Sequence, residues 1–106
     1  MVYKSKRSKA CAITPEVRRI VEERDTVDGV PSCIFCHFPG RGEAHVIPRS
    51  HGGLGVPENI VTCCRTCHDR MDNSQARQIY LNRAKEYLQG IYPDWDETKL
   101  IYTKWG

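Results

Sequence analysis

CIFCHFPGRGEAHVIPRSHGGLGVPENIVTCCRTCH, residues 33–68, begins and ends on the same device. Cys33-Ile-Phe-Cys36 and Cys64-Arg-Thr-Cys67 each space two thiols so that both can face one ion from a knuckle-like turn. Two such knuckles complete the tetrahedral four-cysteine set of a structural zinc site. A redox pair is the alternative for any C-x-x-C, but that motif belongs to a larger βαβ context, which these 106 residues do not show. A closed site of four thiolates has no open coordination position, so its zinc supplies folding free energy rather than chemistry, which suits a thin core. Cys11 and Cys63 fall outside the set, and Cys63 reads as a packed small residue.

The residues between the knuckles are unlike a packed core. His45 is followed by Pro48-Arg49-Ser50, three glycines and Asn59 before the chain turns apolar again. Ala44-His45-Val46-Ile47 reads as a short strand ended by Pro48, residues 49–58 as a loop, and Asn59-Ile60-Val61-Thr62 as a second extended segment. A helix is expected after Cys67. On it His68 and Asp72 stand at i and i+4, one face, where they can ligate one ion together.

Outward from this centre the elements are helical. Thr14-Pro15-Glu16 gives an N-cap, an N1 proline and a first-turn acid, followed by a stripe at Val17, Ile20 and Val21 to about Arg24. Residues 25–31 form a turn-rich connection. Beyond the second knuckle, Ala76, Ile79, Tyr80, Ala84, Tyr87 and Leu88 mark one face of a longer helix, with Gly90 at its C′ position and Pro93 stopping it. A last short helix in residues 94–105 packs Trp95, Leu100 and Tyr102 back on the body. The fold class is α+β.

Net charge is +3, and Lys4, Lys6, Arg7 and Lys9 concentrate the positive part before any acid appears. Residues 1–12 read as a basic flexible arm, either solvated or contacting nucleic-acid phosphates, and 13–106 as a single domain. No apolar run has the length of a membrane span or a signal-peptide core, so a reducing, cytoplasmic location is expected.

Residues 33–73 resemble the HNH endonucleases. The resemblance rests on Cys33-x-x-Cys36, Ala44-His45-Val46-Ile47-Pro48-Arg49-Ser50, Gly52-Gly53, Glu58-Asn59-Ile60-Val61 and Cys64-x-x-Cys67-His68, in that order and spacing. The sequence looks most like the small phage and prophage members, and the helix ending in Arg24-Asp25 fits them too. The resemblance implies a zinc-stabilised ββα-metal core with flanking helices, and phosphodiester hydrolysis in DNA. His45 would be the general base, Asn59 would pin the loop that orients it, and His68 would ligate the catalytic Mg2+ or Mn2+. Asp72 matches a further helix ligand, and Arg49 either contacts a flanking phosphate or is solvated. Ala44 stands where the family usually places an Asp or His ligand. Glu43 is the candidate replacement, if the turn at Gly42 bends the strand. Other phage packaging or DNA-processing proteins would be partners by the same analogy.

Two rivals carry over. One is an inactive zinc-knuckle module that only binds DNA; the other is a protein-interaction scaffold using Trp95, Tyr102 and Trp105. His37 reads as shielding the zinc and His51 as solvent-facing.

Overall fold

The computed structural model describes residues 5–103; Lys4 and Trp105 lie outside them. Thr14 caps its helix as the sequence requires, accepting the Val17 N–H at 3.1 Å with Pro15 in the first turn. That helix, α2 (Pro15–Arg24), follows a short α1 (Lys6–Cys11). The expected loose arm is therefore helical over Lys6–Cys11, with Ser5 as its N-cap, and Cys11 at its end is only 2% exposed.

Residues 25–31 hold a hairpin of β1 (Thr26–Val27) and β2 (Val30–Pro31). Asp28 and Gly29 at its turn both have positive φ, the geometry that an Asp-Gly pair favours in two-residue hairpins. The central hairpin pairs β3 (Arg41–His45) with β4 (Ile60–Cys63), antiparallel, placing His45 opposite Ile60 and Ala44 opposite Val61. A register irregularity lies between Arg41 and Ala44.

The helix after the second knuckle, α3 (Arg65–Asn73), starts earlier than expected. Cys64 is its N-cap, with its sulfur accepting the Cys67 N–H at 3.4 Å, so half the knuckle lies within the helix. The last long helix, α4 (Arg77–Ile91), runs through the exposed Gly90 instead of ending there. Ala84 and Leu88 are buried, but Ile79 is 60% exposed and is not part of the packed face. A 3-10 turn, Glu97–Leu100, follows.

Together β3, β4 and α3 form a ββα core with α2 against the hairpin and α4 against α3. Cys33, Ala44, Val46, Val61, Met71, Ala84 and Leu88 share one apolar cluster. Arg24-Asp25 locks α2 to it. The Asp25 carboxylate, 4% exposed, accepts from Arg24 Nε and Nη2 at 2.8 and 2.9 Å, from the Thr62 N–H at 3.0 Å and from the Tyr87 hydroxyl at 2.5 Å. Arg24 also donates to the carbonyls of Pro57 and Ile60, both at 2.8 Å. Burial and the bond to Asp25 push the Tyr87 hydroxyl up to about 12. Among the described residues no helix is long and apolar enough to cross a membrane.

Candidate active site and metal centre

The knuckles converge. One Sγ from each of Cys33, Cys36, Cys64 and Cys67 lies within 4.8 Å of the others, with Cys36 and Cys64 at 3.4 Å. A tetrahedron of zinc–sulfur bonds of about 2.3 Å needs separations of about 3.8 Å, so the thiols are positioned for one such ion with small adjustments. Burial and the neighbouring sulfurs push the Cys36 and Cys67 thiols up, so taking up a cation there releases protons. Cys63 is buried beside Cys33 in the apolar cluster and is not one of the four.

A cavity of about 340 Å³ is lined by Glu43, His45, Pro48, Arg49, Ser50, His68, Asp72 and Arg77. Strand alternation builds this wall. Glu43 and His45, two residues apart, line it, while Ala44 between them is 0% exposed in the core. Position 44 therefore does not face the cleft, and a ligand placed there would point into the core. Glu43, within the irregular stretch between Arg41 and Ala44, lines the cavity, but its carboxylate is engaged by Arg18 at 3.1 Å. On α3, His68 Nε2 and Asp72 Oδ2 are 3.2 Å apart. That pair offers one imidazole and one carboxylate to a divalent cation, leaving further positions to water or Glu43. The four cysteines are the only cluster of three or more such donors already drawn together among the described residues.

His45 has a defined partner. Its Nε2 lies 2.8 Å from the Cys11 carbonyl, which can only accept, so Nε2 carries the proton of the neutral ring and Nδ1 is left with the lone pair. Burial lowers its pKa from the ordinary value, with Arg49 and His68 acting in the same direction against the Cys11 carbonyl and Asp72. The ring is accordingly neutral at pH 7.

Asn59 is 0% exposed. Its Oδ1 accepts the Ile47 N–H at 2.8 Å, and its Nδ2 donates to the carbonyls of Ile47 and Leu54 at 3.2 and 2.9 Å, closing the loop on itself. The clamp requires glycine at 53, where a Cβ would sit 1.7 Å from the Ile47 oxygen. The loop is also held by the C-terminal segment, through Leu54 N–H to the Leu100 carbonyl at 2.9 Å and Tyr102 N–H to that of Gly52 at 2.7 Å. Trp95 serves the fold as well, donating to the Glu58 carbonyl at 2.7 Å.

Of the basic residues singled out in the sequence, Lys6 and Lys9 are exposed on α1, and Arg49 is on the cavity rim. Arg7 instead donates to the carbonyls of Ser50 and Arg49 at 2.9 and 3.2 Å. Sequence reading passed over Arg77, which reaches the cavity from the start of α4, and over Arg41 and Arg65. The latter two line an adjoining cavity of about 540 Å³ that shares Glu43 and His68. No local motif marks any of the three; only the packing of α4 and the knuckles brings them there.

A zinc-knuckle ββα module with a histidine-lined cleft is thus in place. A family model described as HNH endonuclease matches residues 33–81, just under half of the chain. No curated protein and no solved structure matches it.

Proposed function

We propose that the chain is a metal-dependent endonuclease that hydrolyses phosphodiester bonds in DNA, with His45 as general base. The observation that carries this reading is one cavity gathering His45, His68, Asp72, Arg49 and Arg77 within a domain of the HNH endonuclease family. A neutral His45 whose Nε2–H is committed to the Cys11 carbonyl accepts the proton of a water at Nδ1. The water oxygen bonds to phosphorus as the P–O3′ bond breaks, leaving a 5′-phosphate and a 3′-oxygen that takes a proton from solvent. His68 and Asp72, with Glu43 as third candidate, would hold Mg2+ or Mn2+, whose contribution when bound is to stabilise charge on the phosphate and the leaving oxygen. Asn59 acts at a distance, fixing the loop beside His45.

Arg49 and Arg77 neutralise backbone phosphates in this cavity, Arg41 and Arg65 extend that track, and Lys6 and Lys9 add charge from α1. Likeness to small phage and prophage members favours a cytoplasmic DNA-processing role such as genome packaging. The inactive DNA-binding module is the second reading, favoured by one observation: Ala44 is turned into the core and supplies no ligand.

Supercoiled plasmid with Mg2+ or Mn2+ separates the two. The wild type nicks or linearises it, whereas an inactive module only retards it on a gel. His45→Ala is expected to lower the cleavage rate about 10²- to 10⁴-fold while retaining zinc and DNA affinity. Equal rates for mutant and wild type would remove His45 from the base role.

A further inference from the structure

We infer that residues 5–12 are a working part of the nuclease site, with the Cys11 backbone carbonyl as the positioning group of His45. The inference rests on the reading of His45 as base and goes beyond it, because this segment lies outside the matched residues 33–81. Three contacts and one close approach support it. His45 Nε2 meets the Cys11 carbonyl at 2.8 Å, and Cys11 is only 2% exposed, so water does not compete freely for that bond. Arg7 reaches over the loop to the Ser50 and Arg49 carbonyls. The Gly55 N–H donates to the Ala10 carbonyl at 2.9 Å. Gly55 itself is a cradle, since a Cβ there would lie 2.0 Å from the Ala12 oxygen and 3.0 Å from the Cys11 oxygen.

A helix of six residues is not stable alone in water, so α1 holds its shape only by docking on this loop. The dependence runs both ways. Docked, the segment fixes the imidazole tautomer and ring orientation; undocked, the proton shifts between nitrogens and the ring turns. An imprecisely held base acts in the chemical step and not in DNA binding, so the effect falls on kcat.

The test uses the full zinc-loaded chain. Gly55→Ala inserts a methyl group into the cradle without changing any charge. Its expected effect is a fall in kcat on supercoiled plasmid of about 10-fold or more with KM within about twofold. The 15N ring resonances of His45 should move from a pure Nε2–H pattern in the wild type to an averaged one. Arg7→Ala, which frees the other end of α1, should shift the ring pattern the same way, and it stands in if Gly55→Ala fails to retain zinc and fold. An unchanged His45 pattern in a folded variant whose α1 amides have lost exchange protection would overturn the inference. Failure of the base reading looks different: His45→Ala would then cleave normally, whatever the ring pattern shows.

Discussion

Two groups of metal-capable side chains, the four knuckle thiols and the donors of the cleft, differ in closure. The four knuckle thiols have converged, each within 4.8 Å of the others, and leave no place for a substrate atom. In the cleft, the donors are paired off: His68 with Asp72 and Glu43 with Arg18, beside a neutral His45. The first arrangement suits an ion that holds the fold, and the second suits one exchanging water and phosphate oxygen. On β3, Ala44 is turned toward the core and Glu43 and His45 toward the cleft.

The hardest way to break the contrast is to remove the closed site. Binding of about 10–16 kcal/mol at structural zinc sites matches or exceeds the stability of ordinary domains, about 5–15 kcal/mol. Cys33→Ser or strong chelation should therefore unfold the chain, seen as lost far-UV dichroism alongside measured zinc. A chelated chain that stays folded, with its melting temperature unchanged, would contradict the assignment.

Ala44→Asp tests which way β3 faces. It places a carboxylate among Cys33, Val46 and Val61, and should cost about 3–5 kcal/mol in denaturant melts as an uncompensated buried charge. A variant of wild-type stability that needs less metal for cleavage would show that position 44 serves the cleft after all.

Glu43 gives a smaller and more informative effect. Its pair with Arg18 is half-exposed and worth no more than about 1 kcal/mol, so the carboxylate is easily released to an ion. Glu43→Gln should leave stability within that margin and raise the metal concentration for half-maximal cleavage about tenfold. Arg18→Ala should lower it. If neither moves the titration, the open site does not use this wall.

The smallest effect lies away from both metals. Tyr87 keeps its proton in the folded state up to about pH 12, through burial and its bond to Asp25, with Arg24 opposing, while an unfolded tyrosine releases it near pH 10. Unfolding thus releases a proton in that window, and stability falls as pH rises from 10 to 12. Tyr87→Phe should give a shallower decline in melts across the same range; an identical slope would mean that Tyr87 titrates as in the unfolded chain.

What could be read in advance follows the range of each interaction. The knuckle spacing, the His68-Asp72 face and the Thr14 cap are set within four residues, and the structure has them where the sequence placed them. The start of α3 is hidden because its cap is a cysteine sulfur, and the hairpin at 26–31 because its strands are two residues long, although Asp28-Gly29 marks the turn. Arg24-Asp25 stands out in the sequence only as a likeness to a family; its partners Thr62 and Tyr87 are far along the chain. Least legible is the docking of α1. It is made mostly through backbone carbonyls, which every sequence possesses, so no side-chain pattern announces it. The basic residues around it point instead to a loose tail.

The contact between Cys11 and His45 joins positions 34 apart in the chain, and the four-cysteine set is complete only at Cys67. During synthesis residues 5–12 are made before the surface they dock on, which includes the loop through Gly55, pinned by Asn59. The earliest part of the site to be made is thus among the last to be set in place. A nascent chain cannot orient His45 this way until the segments it will rest on have themselves been made. Chain order thereby delays the setting of His45 until its scaffold exists.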